Sequence, residues 1–265
     1  MKIFDQNIWG NYGPTQKIGN RNHLIAQMIA QEQPDICCFQ ECNPRTSRVG
    51  ETALPMLLQS RYQEACPEYA HQNFTPVFYN RDTLSLTDAG YLPFPGRNDV
   101  NSKSFTWAVL EEKKTGKRFA AVSTHFWYKN IEEADELQRV ENARCVAEKC
   151  RALDEAYHIP VFAMGDLNNG IHSPFGGLAI KEMENQGFRD ARVLARETSR
   201  EKTCHDYPVL SQDGVYLPSG MPTITIDYIY VYQNPSVALR RFSVRADDIA
   251  RAASDHCPLI LEFDL

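Results

Sequence analysis

The chain has 265 residues, 43% hydrophobic and 23% charged, with a net charge of −6 and a pI near 5.7. These values exclude extended disorder and disfavour tight, sequence-independent binding to a phosphate backbone, which rests on clustered Lys and Arg. No stretch has the length of an apolar membrane span, and eight cysteines without a Cys-x-x-Cys pair make neither a dense disulfide scaffold nor a zinc site; they read as buried free thiols.

In chain order, Met1-Lys2-Ile3-Phe4-Asp5 runs straight into a strand pattern over 2–9 with no basic leader or apolar signal core, which favours the cytoplasm. Residues 21–32 read as an amphipathic helix with Leu24, Ile25, Met28 and Ile29 on one face. Strands follow at 35–40, 74–79, 105–112 and 118–125, with Lys113-Lys114-Thr115-Gly116-Lys117 as a hairpin turn between the last two. A long helix is expected over 132–157, its buried side tracked by Leu137, Val140, Ala143, Arg144 and Ala147. The remaining strands are expected at 160–165, 224–232 and 258–263. No linker, low-complexity tract or repeat interrupts the pattern, so 1–265 is expected to form one domain, a monomer.

Two places share one grammar of proline, apolar run and terminal polar residues: Pro34 to Gln40-Glu41, and Pro160 to Gly165-Asp166-Leu167-Asn168. Strand ends are where side chains converge on a ligand while the backbone stays rigid. Asn7, Glu41, His125, Asp166, Asn168, Asp227, Asp255 and His256 all interrupt or terminate apolar segments. Asp166 and Asn168, two apart on an extended chain, should point to one side with Leu167 facing the core. Asp255 and His256 are adjacent and should face opposite sides, the acid toward a metal and the ring toward a substrate phosphate. Asp227, inside a β-branched and aromatic strand, is suited to orient a histidine. Glu41 with a nearby Asp or Asn makes a hard oxygen site for Mg²⁺ or Mn²⁺ rather than zinc. Taken singly, each has a plain structural alternative: a cap for Asn7 or Glu41, a satisfied core ring for His125, a surface pair for Asp227. Their joint presence at strand ends favours a site.

These residues resemble the DNase I-like endonuclease/exonuclease/phosphatase superfamily. The motifs occur in its order: Gln6-Asn7-Ile8, Phe39-Gln40-Glu41, Ser123-Thr124-His125, Gly165-Asp166-Leu167-Asn168, Ile226-Asp227-Tyr228 and Ser254-Asp255-His256. Val77-Phe78-Tyr79-Asn80, Thr106-Trp107-Ala108 and Thr203-Cys204-His205 look similar to its bacterial deadenylase-like hydrolases. One departure is Phe126-Trp127-Tyr128-Lys129, where such relatives often carry a second acid and histidine. The resemblance implies an α/β four-layer α-β-β-α sandwich, two mixed β-sheets face to face with helices outside. It implies Mg²⁺-dependent in-line hydrolysis of a phosphate ester. Glu41 would bind metal with Asn7 and Asp255, Asp166 would orient or deprotonate water, and Asn168 would steady the phosphorus. His125 and His256 would contact phosphoryl oxygens, with Asp227 holding the His256 ring.

Acidic charge and short length favour a small-molecule or lipid ester over nucleic acid, although Arg45, Arg48, Lys103 and Lys129 could serve a nuclease. Trp127 and Tyr128 are the expected substrate contacts, with His205 a further candidate, whereas Trp9 and Trp107 should be structural strand residues. A non-catalytic scaffold keeping the fold is the rival of another class. The presence of Glu41, Asp166 and His256 counts against it.

Overall fold

Apolar runs without a polar face, such as Ile36-Cys37-Cys38-Phe39, need cover on both sides of a sheet, and the chain supplies it. The computed structural model describes residues 1–10, 18–218, 220–233 and 236–265. Its strands are β1 (Lys2–Asn7), β2 (Ile36–Gln40), β3 (Tyr62–Glu64), β4 (Val77–Asn80), β5 (Leu84–Pro93), β6 (Ser104–Glu112), β7 (Arg118–His125) and β8 (Val161–Asp166). These are followed by β9 (Phe188–Asp190), β10 (Glu197–Thr198), β11 (Val209–Leu210), β12 (Tyr216–Leu217), β13 (Asp227–Tyr232), β14 (Ala238–Val244) and β15 (Leu259–Asp264). The helices are α1 (Ile18–Glu32), α2 (Leu54–Leu58), α3 (Glu133–Tyr157), α4 (Leu178–Asn185), α5 (Ala191–Leu194) and α6 (Asp248–Ala253). No helix among the described residues is long and apolar enough to cross a membrane.

One large sheet runs β10-β14-β15-β1-β2-β4-β3, the other β5-β6-β7-β8-β13-β9, and β11 and β12 pair in a separate two-stranded sheet. Both large sheets are mixed: β1 pairs parallel with β2 and antiparallel with β15, and β8 parallel with β7 and antiparallel with β13. Strand alternation then divides the apolar residues. Ile3, Ile36 and Cys38 meet Ala121, Phe162 and Ile229 between the sheets. Phe4, Cys37 and Phe39 turn outward onto Ile25, Met28 and Ile29 of α1 and Leu54 of α2. On the far side, Val122, Val161 and Ala163 meet Ala143, Val146 and Cys150 of α3 and Met183 of α4. Phe119, Phe162 and Phe263 join the layers with ring centroids 4.6 to 6.2 Å apart, each buried ring contributing about 1.5–3 kcal/mol. The expected architecture of two mixed sheets face to face with helices mostly outside is the one observed.

The eight expected strands are present with shifted ends. β1 stops at Asn7 because Trp9 turns left-handed at φ 50°, and residue 224 makes only an isolated bridge to Cys204 before β13 begins. β3, β9, β10, β11 and β12, all short, and the longer β5 and β14 are additions to the expected set. The last two each carry a bulge that breaks alternation, after Leu86 in β5 and beside Arg240-Arg241 in β14. The buried stripe of α3 also differs from expectation: Leu137 is 51% exposed and Arg144 is exposed, whereas Asp135, Glu136, Arg139 and Asn142 face inward. The first turns of α3 cover polar loops, so their inner face carries hydrogen-bonding groups. All eight cysteines are free, with Cys145 and Cys204 half-buried rather than buried.

Candidate active site

The site is assembled by strand register. His125, Asp166 and Asp227 are partners across the ends of β7, β8 and β13, while Asn7 partners Gln40 in the facing sheet with Glu41 next in the chain. Asn7 joins the two rows, its Nδ2 donating to Asp166 Oδ2 at 2.9 Å and to Glu41 Oε1 at 3.3 Å. The chain leaves three of these strands through left-handed non-glycine residues, Trp9 (φ 50°), Glu41 (φ 55°) and Asn168 (φ 48°). Such conformations cost energy and persist where surroundings enforce them, often at functional sites. At Asn168 the turn replaces the expected extended dipeptide: its N–H donates to Asp166 Oδ1 at 2.7 Å and its Nδ2 to the Phe126 carbonyl at 3.1 Å. Asp166 and Asn168 still share the cavity wall, and Leu167 is buried.

Two glycines allow the close approach. A Cβ at Gly10 would lie 1.8 Å from the Glu41 carbonyl oxygen, and one at Gly165 (φ 140°) 1.9 Å from that of Thr124. Gly165→Ala would push apart β7 and β8, which carry His125 and Asp166. Its expected loss of stability is at the upper end of the roughly 0.5–3 kcal/mol range for single substitutions. A wild-type urea midpoint for this variant would contradict the contact.

A cavity of about 630 Å³ opens over these strand ends, lined by Glu41, Lys103, Asp166, Asn168, Asp255 and His256 among others. His256 Nδ1 is 2.9 Å from Asp227 Oδ1 and 3.0 Å from Oδ2, and Thr203 Oγ1 donates to Oδ2 at 2.6 Å. Burial alone would lower the His256 pKa; the carboxylates of Asp227, Asp255 and Asp166 outweigh it and hold the ring charged. Burial would likewise raise Asp166, but His256, His125 and Lys103 keep it well below the usual carboxylate range. Burial lowers His125, and Lys103, 2.7 Å from its Nε2, adds to the effect. The Lys103 ammonium is itself brought down to about 8 by burial. An ionised carboxylate at Asp166 therefore stands between two rings, with His125 Nε2 at 3.3 Å and the charged His256 ring at 3.9 Å through Nε2.

Ligand atoms of Asp166, Asp227 and His256 lie within 4.8 Å of one another. The short His256–Asp227 contact makes this group a hydrogen-bonded relay. Hard oxygen donors are found instead at Glu41 and Asp255, both on the cavity. Burial, with Asp166 adding, raises Asp255, and a divalent cation would relieve that crowding. The donor set fits Mg²⁺ or Mn²⁺. Asn7 does not present its oxygen to such an ion: Oδ1 accepts the Trp9 N–H at 3.0 Å while the NH₂ faces the two acids.

Other expected residues are distributed unevenly. Tyr128 lines the cavity and is 47% exposed, but its neighbour Trp127 is 4% exposed and donates Nε1–H to Asp135 Oδ1 at 2.8 Å. Trp127 thus ties the loop after β7 to α3 and does not reach the cavity. His205 is 7% exposed, with Nδ1 2.7 Å from the Asp206 carbonyl, and lies outside the lining. Within Thr203-Cys204-His205, Thr203 reaches Asp227 and Cys204 Sγ lies 4.0 Å from His256 Nε2. Asp255 and His256, expected on opposite sides, both line the cavity, with Asp255 Oδ1 3.9 Å from His256 Nε2. A bend at Asp255, just before the isolated bridge of His256 to Cys204, breaks the extended geometry that would separate the two. Trp9, expected as a strand residue, lies beyond β1 on the cavity wall, whereas Trp107 does lie in β6. Arg48 pairs with Glu64 at 2.5 Å away from the cavity lining. Lys103, noted in the sequence only as a basic residue, is 4% exposed and inside the site. Its signal was a lysine directly preceding the apolar strand Ser104–Glu112.

Residues 6–256 match the model of the Endonuclease/Exonuclease/phosphatase family. No curated protein matches the chain. Among solved structures, a mannosyl-6-phosphatase of Bacteroides thetaiotaomicron is similar with TM-score 0.74 at 21% identity, covering 100% of both chains. The human Nocturnin catalytic domain with bound sulfate matches with TM-score 0.66 at 20% identity, covering 100% of this chain and 94% of that one. D. rerio TDP2 with single strand DNA product matches with TM-score 0.67 at 15% identity, covering 100% and 99%. At these identities the likeness shows a common fold.

Proposed function

The chain belongs to the endonuclease/exonuclease/phosphatase family, and on that footing we propose that it is a divalent-metal-dependent hydrolase of a small phosphate ester, cleaving by in-line attack of water. The observation that carries this reading is the convergence of Glu41, Asp166, Asn168, Asp255 and His256 on one cavity, with His125 at Asp166. The family match over 6–256 also supports taking the chain as one domain.

Glu41 and Asp255 would hold the metal, and Asn7 orients Glu41 by its hydrogen bond. Mg²⁺ or Mn²⁺ would neutralise phosphate charge and polarise an oxygen. Asp166, kept ionised, accepts a hydrogen bond from the attacking water and aims it at phosphorus. His256, held through Nδ1 by Asp227, offers Nε2–H to a phosphoryl oxygen. Lys103, beside His125, adds a buried positive charge on the opposite side of Asp166. Asn168, fixed by its turn, steadies the equatorial oxygens. The mannosyl-6-phosphatase relation and the net charge of −6 both support a small ester over nucleic acid.

The test is hydrolysis of an aryl phosphate monoester, an aryl diester, a phospholipid, DNA and RNA, with Mg²⁺, with Mn²⁺ and with excess chelator. Turnover of a small ester that disappears on chelation is expected. In Glu41→Gln the metal concentration for half-maximal activity should rise by about tenfold or more. Chelator-resistant turnover would overturn the metal assignment, and turnover confined to DNA or RNA would overturn the small-ester assignment.

A further inference from the structure

The two flanks of the cavity differ chemically. In the second sheet Lys103 and Tyr128 lie on the β6 and β7 side of Asp166, Ile226 on the β13 side. Cys204, bridged to Ile224 and His256, brings Tyr207 to that second flank. There Tyr207 stacks on Trp9, ring centroids 4.9 Å apart and planes inclined by 21°, while remaining 62% exposed. Trp9 is held from the protein side by Arg21, whose fully buried guanidinium lies 4.4 Å from the ring centroid. Arg21 donates to the carbonyls of Trp9 at 2.6 Å, Ala253 at 2.8 Å and Ile8 at 3.2 Å. A buried arginine bonded to three carbonyls is costly to place, and here it fixes the backbone and ring of one aromatic wall residue.

The other flank carries Asp99 and Ser102 beside Lys103 and Tyr128. An exposed carboxylate there accepts hydrogen bonds and repels anions. Around the whole cavity the acidic and basic side chains are Glu41, Asp99, Asp166 and Asp255 against Lys103 and His256. A divalent cation would bring that lining from a net −2 to about zero, so beyond the phosphate held at the metal it offers no positive surplus for a second anionic group.

We propose that the Trp9–Tyr207 wall is the leaving-group subsite and that the enzyme selects a phosphate ester of a neutral, hydroxylated ring, as in a sugar phosphate. One face of the ring packs on Tyr207 against Trp9, its hydroxyls reach Asp99 and Ser102, and the phosphate lies over Asp166. A cavity of about 630 Å³ is of the size used for small-molecule sites, roughly 300–1,000 Å³. An adenine ring would also stack; the acidic flank favours a ligand bearing hydroxyl donors. This assignment rests on the phosphoesterase reading above.

The experiment compares kcat/KM for glucose 6-phosphate, glycerol 3-phosphate, AMP and glucose 1,6-bisphosphate in the wild type, Tyr207→Ala and Asp99→Asn. The wild type should prefer glucose 6-phosphate over glycerol 3-phosphate, which has no ring to stack, by at least about tenfold, the scale of one aromatic contact, and should also prefer it over AMP and over glucose 1,6-bisphosphate. Either substitution should cut its preference over glycerol 3-phosphate severalfold, chiefly through KM. Equal turnover of AMP or glycerol 3-phosphate, or a preference surviving both substitutions, would overturn the subsite. Calorimetric binding of the same esters to Asp166→Asn protein separates the two levels. Tighter binding of glucose 6-phosphate, lost on adding Tyr207→Ala, supports the subsite even if the wild type hydrolyses none of the four. That absence of hydrolysis would count against the phosphoesterase reading, whereas absence of a binding preference would overturn the subsite alone.

Discussion

Asp166→Asn is expected to lower kcat on any hydrolysed ester by roughly 10²–10⁴-fold, the scale of a positioned acid or base. The substitution keeps the shape of the side chain but replaces one acceptor oxygen by NH₂. Oδ1 accepts the Asn168 N–H at 2.7 Å and Oδ2 accepts Asn7 Nδ2 at 2.9 Å, so either orientation of an asparagine sets donor against donor. The fold should therefore also lose about 1–3 kcal/mol, the cost of an unmet buried hydrogen bond. That is too little to unfold an ordinary domain. Steady-state kinetics and urea unfolding on the same preparation distinguish the two effects. A variant that keeps kcat within threefold of wild type would remove Asp166 from the chemistry, whatever its stability.

The second large effect is expected away from the cavity, at Glu136 and Arg139 of α3. Both side chains are fully buried and paired, Arg139 Nη2 to Glu136 Oε2 at 2.6 Å. Glu136 also accepts from Asn169 Nδ2, at 3.0 Å to Oε1 and 2.8 Å to Oε2, and from the Leu178 N–H. Arg139 donates to the carbonyls of Trp127 and Lys129 and to Asn130 Oδ1. The pair thus joins the loop after His125 to the loop after Asp166 and Asn168. Glu136→Leu leaves a buried guanidinium without its acid and should destabilise by about 3–5 kcal/mol. Glu136→Leu with Arg139→Met should recover part of that loss, because no buried charge is left unpaired although the groups the pair bonded stay unmet. It should not recover kcat, since the bonds to Asn169 and to residues 127–130 stay broken. A loss under about 1 kcal/mol in the single variant, read by urea titration, would contradict the buried pair. Full activity in the double variant would show that the loops hold their positions without it.

The polar residues of the site were legible because polar side chains are expensive inside apolar strands. Glu41, Asp166 and Asp227 interrupt or end runs that otherwise need no charge, and Ser254-Asp255-His256 precedes another. Period-two and period-3.6 patterning likewise placed the central strands, α1 and the extent of α3. The same local patterns misplace side chains that follow a strand end. Trp127 and Tyr128 are adjacent, and α3, reached only through the fold, decides that the first is buried on Asp135 and the second faces the cavity. In the Thr203-Cys204-His205 segment it is Thr203 that meets Asp227, although histidine is chemically the more conspicuous residue.

Strand identity, the two-sided burial of β1, β2 and β8, and the acids and histidines available for chemistry are properties of short windows, so the sequence by itself determined them. The tertiary structure alone decided three things: the register that aligns His125, Asp166 and Asp227, the placing of Lys103 against His125, and the stacking of Trp9 on Tyr207. The physical reason is range. Each of these is a contact between segments distant in the chain, set by how two sheets and their loops pack, and no local periodicity encodes it.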